Sequence, residues 1–436
     1  MPVARSKPVI LALDLGSSRL KARVFSGQPG LLRTVSRAAP VMHSGQGRAT
    51  VEPSRWLQSV FCLLDEAHSM LNAPVAAVAV TGAWHSLVGL DAGGKPVTTA
   101  YTWDDATSQP AVESLRNTLE PAAYHQRTGA FIHASFWPAK LALLSAGVAS
   151  GWRGLPEWLI ATLTGIDAMS PSMAGGTGLY NLSTGKWDGE TLASVGLRES
   201  QLACIQSAPT DPLIDPWAER WPMLAGAPWC LPLGDGATGT VGTVPVGAIA
   251  VNAGTSGAVR VQSLELPAHV PAALFCYPVD DGAGVVLGAA LSNAGNVWRW
   301  LNDVMGGVIA PEAGLTTRVK FKVDLAPRRY PFWDGHIGGS LFGLDLATTR
   351  EEIAAAVLDG LALEFATAIK SVSQAGLASL DLAVVSGGLS SSPAFLQRVA
   401  TQVDVRVTPS SQVDGSLIGA ANLAARRLGL NLPPTT

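Results

Sequence analysis

Charge is scarce in this chain. Lys, Arg, Asp and Glu make up 14% of the 436 residues, the apolar share is 47%, and the formal net charge is -3. So little charge beside so many apolar residues excludes a disordered chain and predicts large buried cores, in about two or three domains at this length. The balance also lacks the basic surface that nucleic acid requires, so no nucleic-acid partner is expected. Cysteine is scarce too. Cys62, Cys204, Cys230 and Cys276 are scattered without a CxxC pair, which argues against a zinc knot or a disulfide framework and for buried free thiols. Long apolar runs are missing as well. The two stretches without formal charge, between Glu66 and Asp91 and between Asp235 and Arg260, are broken by Gly, Pro, Thr, Ser or Asn. They read as buried strands and turns, not membrane spans. The first apolar run is short, meets Asp14 and lacks a cleavage site, so no signal peptide is expected. A soluble cytoplasmic protein without a membrane partner is the expectation.

What is present begins with "LALDLGSSRLKARVF", Leu11 to Phe25. An apolar strand ends in a turn of small residues. The next strand alternates Leu20, Ala22 and Val24 against Lys21, Arg23 and Phe25, which is strand period. No helix follows the glycine and no GK[ST] occurs, so this is neither a Rossmann turn nor a P-loop. The pattern returns in "GAIAVNAGTSGAVRVQS", where Asn252-x-Gly-Thr-Ser matches Asp14-x-Gly-Ser-Ser position by position. A matching strand–turn–strand opening each half points to an ancient duplication, with halves of about 1–245 and 246–436. Further on, "VAAVAVTGAWHSLVGLD" reads as strand, turn, strand, and "WLIATLTG" as a helix stopping at Gly165. Residues 166–230, rich in Gly, Pro and Ser, predict an irregular insertion. Glu351 to Val372 carries apolar residues at helical spacing. Ser392 is placed to cap a helix with Pro393 at its first position, and a last helix runs from near Gly415 to Gly429.

Two such hairpin turns make physical sense as a polyphosphate clamp. Small residues let backbone N–H groups approach phosphate oxygens. Ser17, Ser18, Thr255 and Ser256 add hydroxyl donors and Lys21 a cation. Asp14 would repel bare phosphate, but it is sensible if Mg²⁺ lies between them. "VVSGGLSSSP" offers a flat Gly-Gly turn on which a planar ring can lie. Asp235 in "PLGDGATG", flanked by glycines, is placed to take a proton from an attacking hydroxyl, or else is an Asx-turn residue.

In this order these elements resemble the FGGY carbohydrate kinases of the actin-like ATPase superfamily, over nearly the whole chain. "LDLGSS" looks like the family's first phosphate motif, "NAGTSGAVR" like its second, and "VSGGLSSSPAFLQRVA" like its adenosine motif. "PFWDGHIGGSLFGLDLATTREEIAAAVLDGLALE" resembles the C-terminal signature region. The resemblance implies an α/β fold of two ribonuclease-H-like domains with a central cleft. Residues 1–245 would bind sugar and residues 246–436 would bind ATP. It implies Asp14 as the Mg²⁺ acid, with Ser17, Ser18 and Lys21 at the transferred phosphate. Gly254, Thr255 and Gly295 would hold the β- and γ-phosphates, and Gly387, Gly388 and Ser392 would border the adenosine. Asp235 matches the catalytic base. Trp84, His85, Trp103 and Asp105 fall on the sugar-binding motifs. There the chain departs from the family pattern, with Ala83 and Trp84 for the common Gln and Met, and Thr107 for the usual Arg. "HASFWPAKLALL" and "SMAGGTGLYNLSTGKWD" look most like the gluconokinase-like branch, and Lys140 is either a partner for an acidic substrate or a structural residue. The expected activity is ATP-dependent phosphorylation of gluconate or a related sugar acid. The alternatives are a kinase for xylulose or a polyol, or a non-catalytic sensor on the same scaffold. The expected partner is a small-molecule sugar, with a homodimer left open.

Overall fold

The computed structural model describes residues 8–430 apart from 27–32, 46, 145–146, 208, 281, 308–310, 313 and 377. The chain forms two compact units. One comprises Met1–Gly242, Tyr277–Gly284 and Asp414–Thr436, the other Thr243–Cys276 and Val285–Val413.

The first unit is built on a five-stranded sheet in the order Leu233–Gly234, Ala77–Gly82, Val9–Leu15, Arg19–Ser26, Thr34–Ala38. The first three of these run parallel and the last two alternate antiparallel. Strand period divides the opening strand between two cores. Leu11, Leu13 and Leu15 face a cluster with Trp56, Val60 and Leu64 of the helix Pro53–Ser69 and Leu159 and Leu163 of the helix Leu155–Thr164. Ile10 and Ala12 face the other way, against Leu417, Ala421 and Ala424 of the last helix, Gly415–Arg427. Phe25, expected on the polar side of its strand, is buried in this second cluster because the last helix covers that face. Alanines on both partners, Ala77 and Ala79 against Ala420 and Ala421, keep the contact close. Glycines do the same where the last helix meets the helix Asp235–Thr243. A Cβ on Gly419 would overlap the Thr238 carbonyl, and one on Gly242 the Gly415 carbonyl.

In the second unit, five adjacent strands run in the order Arg406–Pro409, Leu382–Ser386, Ile249–Ala253, Gly257–Ser263, Val285–Leu291. Their directions repeat those of the first sheet, with the first three parallel and then two antiparallel steps. The repeated motif therefore opens the same topology twice. The expected helices are present as Arg350–Gln374, Pro393–Ala400 and Gly415–Arg427. The helix Leu155–Thr164 ends at Gly165, which has φ 74°. Residues 166–230 are largely irregular, as their composition predicts. They hold short helices such as Pro171–Thr177 and Gly189–Ser194 and two-residue strands, with Met173, Trp187 and Trp229 buried among them. Among the described residues no helix is long and apolar enough to cross a membrane.

Candidate active site

In the first unit the expected residues gather at one end of the sheet. The parallel register sets Asp14 beside Thr81 and Thr81 beside Leu233. Asp235 comes two residues after Leu233, where its strand passes into a helix. Thr81 ties this end together, donating to the Leu233 carbonyl at 2.9 Å and lying 2.7 Å from the Thr238 hydroxyl. The Gly236 N–H donates to Asp235 Oδ1 at 2.8 Å, which orients that carboxylate at its helix start.

Asp14 is 8% exposed. Burial pushes its carboxyl up to about 6, the Ser416 hydrogen bond opposes this, and the neighbouring Asp235 charge adds to it. Ser416 Oγ donates to Asp14 Oδ2 at 2.6 Å, whereas Oδ1 is buried without a partner. Lys21, directly opposite Asp14 across the hairpin, is ion-paired with Asp414 at 2.6 Å. Ser18 is exposed in the turn and Ser17 half-buried. The Trp103 indole donates to Ser17 Oγ at 3.1 Å, which ties Trp103 to the first hairpin turn. Leu15, Gly16, Ser17, Trp56, Trp84 and Trp103 line a small cavity here.

Trp84 and His85 follow the strand Ala77–Gly82. The Trp84 indole is buried against glycine backbone, so that a Cβ on Gly234 or Gly176 would overlap it, and it donates to the Ser172 carbonyl at 2.9 Å. His85 has φ 71°, its Nδ1 meets the Gly176 carbonyl, and its ring lies edge-on to Phe136. Asp105 is 1% exposed and accepts from Ala49 N at 2.8 Å and from both the N–H and hydroxyl of Thr107. The threonine that stands where the family pattern has arginine thus closes onto this carboxylate. Lys140 is buried and donates to the Ala134 and Ser135 carbonyls at 2.9 and 2.6 Å. Burial pulls its ammonium down to about 7, against the opposing charges of Asp105 and Asp104.

In the second unit three glycine elements converge. Gly295 begins the helix Gly295–Val304, and its N–H donates to the Gly254 carbonyl at 2.8 Å. Any Cβ there would lie 2.6 Å from that oxygen. Gly387, at φ 89°, sits over the Ala253–Gly254 peptide at a distance that also forbids a side chain. Thr255 is exposed at the turn, Gly388 opens a short 3-10 turn, and Ser392 Oγ accepts from Phe395 N at 3.3 Å as the cap of the next helix. The two hairpins differ by one residue of register. Leu15 pairs with Leu20 in the first, whereas Ala253 pairs with Gly257 in the second, so the second turn is shorter and Asn252 faces Ala258.

The N-terminal domain model of the FGGY family of carbohydrate kinases matches residues 9–242, and the C-terminal domain model matches residues 249–428. The chain belongs to this family. It is a carbohydrate kinase with the actin-like ATPase fold, and ATP is the family's phosphate donor. A gluconokinase of Bacillus subtilis is 24% identical over 454 aligned positions, spanning 96% of this chain and 88% of that protein. The crystal structure of a gluconate kinase from Lactobacillus acidophilus, 25% identical, superposes with a TM-score of 0.88 over 98% of this chain and 90% of that one. A ligand-bound xylulose kinase from the same organism also gives 25% identity and a TM-score of 0.88, over 97% and 90%.

For an FGGY kinase, the donor set at Asp14 fits Mg²⁺. No group of three or more His, Cys, Asp or Glu able to hold a metal occurs among the described residues. Mg²⁺ needs no such group, because it is usually held by one or two carboxylates with phosphate and water oxygens, and Asp14 Oδ1 is a buried oxygen without a partner. Sequence reasoning missed Asp414 and Ser416. Each reads locally as the start of a helix, and no spacing rule links them to Asp14 and Lys21 across about 400 residues.

Proposed function

We propose that this kinase transfers the γ-phosphoryl of ATP to a hydroxyl of gluconate or a related sugar acid. Asp235 takes the hydroxyl proton as the substrate oxygen bonds to phosphorus and ADP departs. Ser17, Ser18 and Lys21 meet the transferred phosphate. Gly254 and Thr255 hold the β- and γ-phosphates, with Gly295, whose N–H ties down the Gly254 carbonyl, beside them, and Gly387, Gly388 and Ser392 border the adenosine. Trp84, His85, Trp103 and Asp105 shape the sugar site. Asp14 and the phosphate oxygens would hold Mg²⁺, which when bound offsets phosphate charge. In this reading residues 1–245 serve the sugar and residues 246–436 the nucleotide, and the four free thiols suit the cytoplasm. The observation that supports it most is the strand register that delivers Asp14 and Asp235 to one end of one sheet.

The sugar-acid assignment draws on the gluconokinase and gluconate kinase likenesses. Xylulose is the second reading, favoured by a structural likeness of the same TM-score. A coupled ADP-release assay over gluconate, xylulose, glycerol and other polyols, with products read by mass spectrometry, separates them. Gluconate should give the highest kcat/KM, and a preference for xylulose or glycerol would overturn the sugar-acid reading. With the best substrate, Asp235→Asn should bind ATP normally and lose about 10²- to 10⁴-fold in kcat. Near-normal turnover would remove Asp235 from the role of base.

A further inference from the structure

The last helix starts about 400 residues after the opening hairpin, yet its first turn touches that hairpin at two points within the first unit. Asp14 and Lys21 are a directly opposed cross-strand pair, so their side chains leave one face of the sheet. That is the face of Ile10 and Ala12, which the last helix covers. Asp414 meets Lys21 Nζ at 2.6 Å and Ser416 meets Asp14 Oδ2 at 2.6 Å.

The conformation of Asp414 separates this contact from an ordinary helix start. An aspartate before a helix normally turns its carboxylate back to cap the first free N–H groups. Asp414 makes no such side-chain cap. Its backbone is left-handed, at φ 62° and ψ 45°, its carbonyl accepts from Leu417 and Ile418, and its carboxylate goes to Lys21 instead. Left-handed backbone is unfavourable for a residue with a side chain, though Asp tolerates it better than most. Ser416 engages only one oxygen of Asp14 and leaves the other buried without a partner. The charges around Asp14 are Asp235, Lys21 and Asp414.

We propose that Asp414 and Ser416 are positioning residues for phosphoryl transfer. Asp414 sets the direction of the Lys21 ammonium, which keeps further N–H donors for phosphate oxygens. Ser416 sets the rotation of the Asp14 carboxylate, so that Oδ1 is the oxygen presented to a metal-bound nucleotide. This rests on the placement of Lys21 and Asp14 at the transferred phosphate.

A double-mutant cycle in the full-length enzyme tests it. Asp414→Asn removes the charge. Asp414→Gly removes the carboxylate while suiting the left-handed backbone, which protects the fold. Both should lower kcat by about 10- to 100-fold with the sugar KM unchanged. In a Lys21→Met background the same substitutions should change kcat by less than about twofold, because their effect runs through Lys21. A full loss on top of Lys21→Met, or wild-type kcat in Asp414→Gly, overturns the role of Asp414. Wild-type kcat in Lys21→Met alone identifies a different failure: the phosphate placement of Lys21 is then wrong, and the inference falls with it. For Ser416 the readout is Mn²⁺ affinity of the enzyme–ADP complex by electron paramagnetic resonance. Ser416→Ala should weaken it about tenfold and Ser416→Thr should restore it. Unchanged Mn²⁺ affinity in Ser416→Ala overturns that half.

Discussion

Glu157 sits in the first turn of the helix Leu155–Thr164, where an ionised carboxylate ordinarily favours the positive end of the helix. Here it is 1% exposed and neither oxygen has a hydrogen-bond partner. Burial pushes its carboxyl up to about 8, with only smaller opposing pulls from its own amide and Arg153. At neutral pH the folded protein therefore holds this group protonated, whereas the unfolded chain ionises it near the ordinary value of 4.5. Its contribution to stability is complete below pH 4.5 and is lost as pH rises through about 8. Glu157→Gln has no charge to suppress. Its unfolding free energy relative to the parent should rise steadily from pH 5 to pH 8, at up to roughly 1.4 kcal/mol per pH unit, and its melting temperature with it. A constant difference across that range would show that Glu157 is solvated or paired. At the same scale, Asp235 and Asp14 were legible as candidates because a carboxylate beside a glycine turn is locally unusual. Burial and pairing were not legible, since they depend on what other segments bring.

Between elements, one close approach in the first unit is the crossing of the helices Asp235–Thr243 and Gly415–Arg427. Gly242 and Gly419 are helical glycines, each a local cost of about 1 kcal/mol against alanine. The crossing explains them, because a Cβ on Gly419 would overlap backbone at Thr238, an obstacle that no side-chain rotation relieves. Gly419→Ala should therefore destabilise the protein by about 1–3 kcal/mol despite its better helix propensity. Gly189→Ala, also in a helix but with no heavy atom near its added Cβ, should stay within about 0.5 kcal/mol. Thermal unfolding of the two variants side by side checks this, and equal melting temperatures would rule the close crossing out. Strand and helix positions were readable here from periodicity and caps. The capped helix at Ser392–Pro393 and the stop at Gly165 both form as local chemistry dictates. The region 166–230 is largely irregular, as its composition predicts, but its packing was not readable because many of its buried residues sit in elements too short to show a period.

At the scale of the molecule, chain order and packing order differ. The last helix packs on the first strands, with Leu417, Ile418, Ala421 and Ala424 filling one face of the opening sheet. A chain ending at residue 413 should lose hydrogen-exchange protection in Val9–Leu15 and Ala77–Gly82. It should retain protection in Ile249–Ala253 and Leu382–Ser386, whose unit does not include that helix. Equal protection loss in both sets would show that the two units unfold as one. By itself the sequence determined the α/β class, the duplicated hairpins and the kinase family, because strand period, glycine turns and motif order are properties of neighbouring residues. Only the tertiary structure decided that Asp414 and Ser416 belong beside Asp14 and Lys21. It alone decided that Thr107 closes onto Asp105 and that Phe25 is buried. Each of these depends on which distant segment covers a given face, and covering is a matter of packing, which no local pattern encodes.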